Sequence, residues 1–239
     1  MRRLVKAILS RIELQRIVHK PSLQTFLEHH RISLVIDIGA NTGQFGKSLR
    51  HGGYRGRIHS FEPINDVYRV LEETAANDPL WMVTNAGIGA AQGEATINVA
   101  ELSVFSSIKP VNAAGKAFDS RAATARVETV SLTTLLDVLD PNPTEQVFVK
   151  IDTQGFEREV LQGAAGALKL CEGIQLELPI QHLYDNVWSI SEAIAHMEDL
   201  GFVPAQFEMV NTLRDDESSG VEFDCIFRRV AKTGGGENL

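Results

Sequence analysis

Residues 34–45 read LVIDIGANTGQF, and this stretch decides the fold. Apolar residues surround Asp37, and a short apolar run that ends in glycines is typical of a buried strand of a parallel sheet. Gly39 and Gly43 allow the backbone to turn sharply and to approach a ligand closely, because glycine has no Cβ. The helix that follows directs its first backbone amides toward whatever lies over the turn. The stretch therefore predicts a strand, a glycine turn and a helix in a ligand-binding α/β fold.

Asp37 distinguishes between two classes of ligand for this turn. A turn that binds a pyrophosphate reads G-x-G-x-x-G and has no reason to place a carboxylate beside its ligand. Here the pattern is D-x-G-x-N-x-G, and its acid suits a ligand that carries an ammonium group or hydroxyls. S-adenosylmethionine carries both, so the sequence favours this cofactor.

A second acidic residue follows the next predicted strand, Arg57 to Phe61. Glu62 lies 23 positions after Gly39, and an acid about 20 residues beyond a glycine turn is placed to accept hydrogen bonds from both ribose hydroxyls. A third strand is predicted from Trp81 and ends in Asn85-Ala-Gly. We therefore predict cofactor contacts from these residues: Asp37, Gly39, Asn41, Gly43, Gln44, Phe45, Glu62, Pro63, Asn85, Ala86 and Gly87.

Length and charge narrow the class of protein. The chain has 239 residues, 44% of them hydrophobic, which suits one domain with a sizeable core. Its formal net charge is −8, so it will not attract a phosphate backbone, and we expect no nucleic-acid partner. Cys171 and Cys225 make neither a disulfide framework nor a metal cluster, and we expect both to be reduced core residues. With no apolar run of membrane-spanning length and no signal-peptide core, a cytoplasmic location is expected.

Residues 1–20 depart from this acidic average. They contain six Lys or Arg residues and one Glu. They also carry a stripe of apolar residues at helical spacing: Leu4, Val5, Ile8, Leu9 and Ile12. Such a basic helix can lie peripherally on an anionic membrane surface, or it can pack on the domain as a substrate lid. We favour the lid and keep the membrane contact as the alternative.

Residues 147–157 read VFVKIDTQGFE and give a second strong signal. The stretch predicts a buried strand, an acid at its carboxyl end (Asp152), a glycine turn, and a helix from about Glu157. Ligands in open α/β sheets bind outside the carboxyl ends of the strands. We therefore expect Asp37, Glu62 and Asp152 to lie along one edge of the sheet.

The remaining strands complete the predicted sheet. A strand from Gly173 to Leu178 brings Glu177 and then His182 to the same edge. Two last strands, about 202–209 and 221–229, lie close enough in sequence for antiparallel pairing. A dinucleotide dehydrogenase sheet does not end in such a hairpin. Earlier in the chain, residues 111–126 are predicted to form an exposed loop.

The chain resembles the FkbM family of S-adenosylmethionine-dependent methyltransferases from about Leu34 to Phe227. The resemblance rests on VIDIGANTGQF, on FEP at Glu62, on VFVKIDTQGFEREVLQGA at 147–164, and on the strand QLELP. The first segment alone indicates only a class I methyltransferase, and the KID-x-x-G-x-E segment makes the resemblance specific. The family commonly has Glu where this chain has Gln154, so one charge near the site is missing.

This resemblance implies a class I methyltransferase fold, an α/β Rossmann-like sandwich. Its seven-stranded, mostly parallel sheet has the order 3-2-1-4-5-7-6 and a C-terminal antiparallel hairpin. It also implies methyl transfer to a hydroxyl oxygen, and by analogy a deoxysugar acceptor on a glycolipid, although a fold does not fix a substrate. We assign 1–31 to an N-terminal helical extension, 32–230 to the methyltransferase domain and 231–239 to a disordered tail.

The acceptor side of the site yields candidate catalytic and substrate residues. Asp152 is the first candidate for the general base, and His182 is the second, because histidine is the residue type that titrates nearest neutral pH. Glu157 is the third catalytic candidate, as an acid close to Asp152 in the sequence. Asp152 and Glu157 could alternatively hold a Mg²⁺ ion that polarises a sugar diol, but two carboxylates lack a third ligand and we expect no metal. The predicted substrate contacts are Ser106, Ser107, Tyr184 and Trp188.

Two other classes of function remain as alternatives. An NAD(P)-dependent oxidoreductase of Rossmann type would share the first strand, turn and helix, but the chain lacks G-x-G-x-x-G, and no tyrosine is followed by Lys four positions on. A non-catalytic S-adenosylmethionine-binding protein would have no need of acids at all three strand ends. A nucleobase methyltransferase usually has an Asn-Pro-Pro-aromatic run where this chain has Asp152-Thr-Gln-Gly.

Overall fold

The computed structural model describes residues 21–139, 145–164, 166–213 and 216–230. The predicted basic helix at 1–20 and the predicted tail at 231–239 therefore lie outside the described residues. Within the described residues, no helix is long and apolar enough to cross a membrane.

Helices and strands alternate along most of the chain. The helices are α1 (Leu23–His29), α2 (Gln44–His51), α3 (Asn65–Ala75), α4 (Ala113–Phe118), α5 (Leu135–Val138), α6 (Glu157–Gln162) and α7 (Ile190–Asp199). The strands are β1 (Leu34–Ile38), β2 (Arg57–Phe61), β3 (Trp81–Thr84), β4 (Gly87–Ile88), β5 (Gly93–Ala100), β6 (Thr124–Thr133), β7 (Val147–Ile151), β8 (Cys171–Pro179), β9 (Phe202–Thr212) and β10 (Gly220–Arg229). Short 3₁₀ turns lie at Ser103–Phe105, Ser120–Ala122 and Leu168–Leu170.

Seven strands form the main sheet in the order β3-β2-β1-β7-β8-β10-β9. Counted along the chain within this sheet, the order is 3-2-1-4-5-7-6, as predicted. The first five strands pair in parallel, and β10 is antiparallel to both of its neighbours. The predicted fold class and the predicted terminal hairpin are therefore confirmed.

A second, three-stranded sheet of order β4-β6-β5 was not predicted. The prediction of an exposed loop at 111–126 is wrong, because α4 and a 3₁₀ turn occupy most of it. Gly115 and Ala122 are buried there. A Cβ atom at Gly115 would come within 2.5 Å of the Leu183 carbonyl oxygen, so α4 packs directly on the backbone of the chain after β8. Packing, rather than local sequence, folds this segment.

The core lies on both faces of the main sheet. Alternate residues of β1 point to opposite faces, so that Ile36 joins one apolar cluster and Val35 joins the other. Helices α6 and α7 cover the first face, and α1, α2 and α3 cover the second. This two-sided burial explains why the parallel strands are apolar throughout. Cys171 and Cys225 are buried free thiols, as expected.

The carboxyl ends of the parallel strands converge on one edge. Asp37 of β1 lies directly beside Lys150 of β7 and Ser60 of β2 in the strand register. The Asp152 amide donates to the Ile38 carbonyl at 3.1 Å, which joins the ends of β7 and β1. The turns that follow these strands therefore meet in one place.

Candidate active site

A cavity of about 580 Å³ opens at this carboxyl edge. Its volume is in the usual range for a small-molecule site. The ends of β1, β2, β7, β8, β9 and β10 contribute to its walls, together with residues 102–121. The predicted site residues that line it are Gly39, Asn41, Glu62, Pro63, Gly87, Ser106 and Asp152.

The glycine turn after β1 packs directly on the chain after β7. Gly39 has a φ of +75°, and a Cβ atom there would lie 1.9 Å from the Asp152 carbonyl oxygen. Only glycine fits, because any side chain would collide with that backbone and strain its own. The close approach places the predicted cofactor turn and Asp152 side by side.

Glu62 is buried and yet lines the cavity. Its Oε2 accepts a hydrogen bond from the Asn41 amide at 3.0 Å, and its Oε1 accepts one from the Ile64 amide at 2.9 Å. Burial raises the pKa of Glu62 to about 7, although these two amides oppose the shift. Each oxygen keeps a second lone pair, so the carboxylate can still accept hydrogen bonds from a pair of ligand hydroxyls.

Asn85 supports the backbone at Glu62 from outside the cavity. Its side-chain amide donates to the carbonyl oxygens of Glu62 and Pro63 at 2.9 and 3.2 Å. It therefore holds the backbone that carries Glu62, and it is not among the cavity-lining residues.

Asp37 is completely buried and lies beneath the turn rather than in the cavity. Ser60 donates to its Oδ2 at 3.0 Å, and Lys150 Nζ lies 3.5 Å from its Oδ1. Burial raises the pKa of Asp37, partly against the effects of Lys150 and Ser60. Since Lys150 also donates to the Gly39 carbonyl at 3.2 Å, Asp37 orients the turn through Lys150. Asp37 does not line the cavity, so the predicted direct contact with a cofactor has no support in this geometry.

Lys150 is a site residue that sequence reasoning missed. Its Nζ lies 3.1 Å from Asp152 Oδ2, so one buried ammonium group joins Asp37, Asp152 and Gly39. Burial lowers the pKa of Lys150, but the negative charges of Asp152 and Asp37 more than offset this and raise it overall. A lysine inside the apolar strand VFVKI was the available signal, because lysine is almost never fully buried without a partner.

Gln154 connects several residues in the half of the site formed by the ends of β7, β8 and β10, which we call the acceptor half. Its Nε2 donates to Asp152 Oδ1 at 2.9 Å and to Glu177 Oε2 at 2.7 Å. Its Oε1 accepts a hydrogen bond from the Tyr184 hydroxyl at 2.7 Å, and its carbonyl accepts one from the Ser107 hydroxyl at 2.6 Å. Tyr184 and Ser107, both predicted substrate contacts, instead support Gln154 from outside the main cavity.

Glu157 closes the turn after β7. Its Oε1 accepts hydrogen bonds from the amides of Thr153 and Gly155, both at 3.0 Å, and from the Thr153 hydroxyl at 3.1 Å. Burial raises its pKa, while the backbone amides oppose the shift. These contacts give Glu157 a structural role instead of the predicted catalytic one. No group of three or more His, Cys, Asp or Glu side chains in the described ranges is arranged to hold a metal ion.

The structure does not bring His182 or Trp188 into the main cavity. The His182 side chain is exposed, and its carbonyl accepts a hydrogen bond from Asn112 at 2.8 Å. Trp188 is 5% exposed and packs in the core below α7. The second general-base candidate and one predicted substrate contact thus lie elsewhere. The predicted cofactor residues that do not line the cavity are Asp37, Gly43, Gln44, Phe45, Asn85 and Ala86.

The acceptor half contains two further acids: Glu177, which was expected at this edge but was not named as a site residue, and Glu222, which was not predicted. Glu177 and Glu222 both line the cavity, and Asn211 donates to Glu222 Oε2 at 3.0 Å. Burial raises the pKa of Glu222 to about 7, and burial together with neighbouring carboxylates raises that of Glu177 well above its ordinary value. Acids in the apolar strand GVEFDCIF were a signal for Glu222.

The segment 102–121 covers both halves of the cavity. Ser103 is joined to the glycine turn by a hydrogen bond from Asn41 Nδ2 at 3.1 Å. Phe105 and Phe118 line the cavity with their rings 6.2 Å apart. This segment therefore contacts the glycine turn and also lines the rest of the cavity.

A 3-2-1-4-5-7-6 sheet, a glycine turn after the first strand and an acid after the second together define a class I methyltransferase. Within this class the sequence is specific, since the family described as "Methyltransferase FkbM domain" matches residues 37–204. The chain belongs to this family and is a methyltransferase, with S-adenosylmethionine as the expected cofactor. The family membership does not support the oxidoreductase alternative.

Solved structures with related folds share little sequence with this chain. Magnesium protoporphyrin IX methyltransferase from Synechocystis PCC 6803, with bound SAM, is 10% identical, with a TM-score of 0.48 over 87% of this chain and 76% of that chain. A putative RNA methyltransferase from Pyrococcus horikoshii is 13% identical, with a TM-score of 0.46 over 87% and 82%. The methyltransferase domain of bacterial CtHen1-C is 11% identical, with a TM-score of 0.48 over 87% and 95%. No curated protein matches the chain.

Proposed function

We propose that this chain is an S-adenosylmethionine-dependent O-methyltransferase. Its proposed acceptor is a hydroxyl of a deoxysugar, carried on a glycolipid or a related glycoconjugate. One observation supports this proposal above the others: a single cavity joins Glu62 at one end to the carboxylates of Asp152, Glu177 and Glu222 at the other.

The first half of the cavity suits the cofactor. Gly39 lets the turn pack against the chain at Asp152, and Glu62 offers two hydrogen-bond acceptors to ribose hydroxyls. Pro63 and Gly87 complete this wall. When bound there, S-adenosylmethionine supplies an activated methyl group.

The second half suits a sugar. Carboxylates are strong acceptors for hydroxyl protons, and Asp152, Glu177 and Glu222 present three of them to one space. Phe105 and Phe118 line the same space and offer apolar surface to the C–H faces of a sugar or to the methyl group of a deoxysugar. A polyanionic acceptor would be repelled by this set of acids, which agrees with the net charge of −8.

The described residues can perform the tasks that methyl transfer to oxygen requires. Asp152, fixed by Lys150 at 3.1 Å and by Gln154 at 2.9 Å, can accept a hydrogen bond from the acceptor hydroxyl and fix its direction. Good alignment of two reactants is worth several kcal/mol, at most roughly 7–11. Phe105, Phe118 and other residues of the 102–121 segment line this part of the cavity.

Incubation with methyl-labelled S-adenosylmethionine and a panel of acceptors tests the proposal. The panel contains deoxysugar glycolipids, the same glycolipids with the free hydroxyls blocked, the corresponding soluble glycosides, and RNA. We expect label in an alkali-stable methyl ether of an unblocked deoxysugar. Label in RNA, on a nitrogen or carbon atom, or equally in the blocked compounds, would contradict the proposal.

A further inference from the structure

Glu177, at the end of β8, has one carboxylate oxygen committed and one available. Its Oε2 accepts a hydrogen bond from Gln154 Nε2 at 2.7 Å, and the same nitrogen donates to Asp152 Oδ1. No described residue donates a hydrogen bond to its Oε1. The side chain is partly accessible and lines the main cavity. Glu177 Oε1 is thus free to accept a hydrogen bond in the part of the cavity proposed for the methyl acceptor. The side-chain amide of Gln154 links Glu177 to Asp152.

The carboxylates of Glu177 and Asp152 have different charged neighbours. Asp152 is paired with Lys150 at 3.1 Å, whereas no cation of the described residues lies within ion-pair distance of Glu177. Burial, and then the acids around it, raise the pKa of Glu177 well above the ordinary value for glutamate. The titratable groups that face it are Asp152 after β7, Glu157 of α6, Glu222 and Asp224 of β10, and the Tyr184 hydroxyl after β8. Glu177 thus has no cation from the described ranges beside it, and its negative charge is relieved when it takes up a proton.

A second, small cavity of about 20 Å³ also contacts Glu177. Glu222 and Trp188 line it as well, and Trp188 is 5% exposed. The Trp188 Nε1 atom has no hydrogen-bond partner among the described residues. Glu157 lines this cavity too, so three carboxylates and the Trp188 donor surround a space with the size and polarity for one water molecule. It provides a place for a proton to go after Glu177.

We propose that Glu177 is a catalytic residue that takes the proton of the acceptor hydroxyl while Asp152 orients that hydroxyl. This inference rests on the proposed O-methyl transfer. The acceptor oxygen forms a bond to the methyl carbon with one of its lone pairs, and the carbon–sulfur bond breaks with its electron pair left on sulfur. The oxygen–hydrogen bond breaks, and the proton forms an O–H bond with Glu177 Oε1. Glu177 then releases this proton through the small cavity, toward Glu222.

Replacing Glu177 without changing its shape tests this role. We expect Glu177→Gln to lower kcat about 100-fold or more, as for loss of a general base, and to remove the acid limb of the pH–rate profile. Its affinity for S-adenosylmethionine should stay within a few-fold of wild type. Glu172→Gln is the matched control, because it makes the same change on β8, outside both cavities. Glu177→Asp keeps a carboxylate and should show an acid limb at reduced kcat with its midpoint shifted from that of wild type, whereas an acid limb that belongs to another group would not shift.

Two results would overturn the inference. One is a folded Glu177→Gln enzyme with kcat within about threefold of wild type and an unchanged acid limb. The other is loss of the acid limb in Asp152→Asn but not in Glu177→Gln. If Glu177→Gln does not fold, a shifted acid limb in Glu177→Asp supports the inference, and an acid limb at the wild-type position opposes it. The position of the methyl group in the wild-type product is determined separately. If the label is not on oxygen, the proposed function itself is wrong. If the label is on oxygen but the Glu177 variants behave as wild type, only this inference is wrong.

Discussion

Glu62 is buried and also lines the cavity, and its burial changes the pKa of its carboxyl group. Two backbone amides hold its oxygens in place, at 3.0 Å from Asn41 and 2.9 Å from Ile64. Burial nevertheless raises its pKa to about 7. A carboxylate accepts hydrogen bonds from two hydroxyls, but a carboxylic acid gives up part of this capacity to its own proton. Cofactor binding should therefore depend on the charge of this one residue.

We predict that affinity for S-adenosylmethionine falls as the pH falls below about 7. The direction follows from the raised pKa: Glu62 is ionised above it and progressively protonated below it, and each further pH unit should cost up to about tenfold in affinity. Calorimetric titrations between pH 5.5 and 8 measure this. Glu62→Gln should bind at least about tenfold more weakly at pH 8, since a charge-assisted contact is worth roughly 1.5–3 kcal/mol.

The same variant supplies the control for this prediction. Glu62→Gln should bind with much less pH dependence, whereas Glu73→Gln, on the exposed side of α3, should behave as wild type. Equal affinity of wild type at pH 5.5 and 8, or an unaltered pH dependence in Glu62→Gln, would show that Glu62 does not contact the cofactor.

At the scale of elements, the turn between β7 and α6 is held from several sides. Glu157 accepts three hydrogen bonds within it, and Ser107 binds its backbone at Gln154. Gln154 has a φ of +55°, an uncommon conformation for a residue with a side chain. The Tyr184 hydroxyl fixes the orientation of its side-chain amide. The positions of Asp152 and Glu177 thus depend on residues that do not line the main cavity.

We predict that Tyr184→Phe impairs use of the acceptor and leaves cofactor affinity unchanged. Without the hydroxyl, Gln154 Oε1 loses its donor at 2.7 Å, and its amide no longer has a fixed orientation toward Asp152 and Glu177. A loss of about 1.4 kcal/mol lowers kcat/KM for the acceptor about tenfold. Steady-state kinetics and calorimetry measure the two effects, with Tyr68→Phe on α3 as the matched control. Weakened cofactor binding with normal acceptor kinetics would contradict this reading of the turn.

At the scale of the whole molecule, the sequence predicted the sheet better than it predicted the acceptor site. The order of the main sheet follows from short apolar strands with acids and glycines at their ends, which are local signals. Gln154 and Glu177 meet only after β7 and β8 are paired, and Glu222 reaches them from β10, so no sequence spacing reveals their contacts. His182 was predicted from its residue type. The residue type gives no information on which way an irregular segment directs its side chain, and the His182 side chain is exposed outside the main cavity.

The two roles considered for residues 1–20, a substrate lid and the alternative of a membrane contact, also belong to this scale. If the acceptor is lipid-linked and this basic stretch lies on the membrane, deleting it should lower turnover of a glycolipid in anionic vesicles much more than turnover of the matching soluble glycoside. Replacing its six basic residues with Gln should have the same selective effect, since the attraction to anionic lipid is electrostatic. Equal loss on both acceptors would favour the lid, and no loss on either would make the segment dispensable.

The central claim is that one cavity holds the cofactor through Glu62 and performs the transfer beside Asp152. Its most direct test is a paired measurement, on Asp152→Asn, of affinity for S-adenosylmethionine and of methyl turnover, with Asp185→Asn as an exposed control. Asn keeps the shape of Asp152 but gives up the charge that pairs with Lys150 and directs the acceptor hydroxyl. We predict cofactor affinity within a few-fold of wild type and turnover lower by about two orders of magnitude or more. Full turnover in this variant, or loss of cofactor binding in parallel with turnover, would contradict the account.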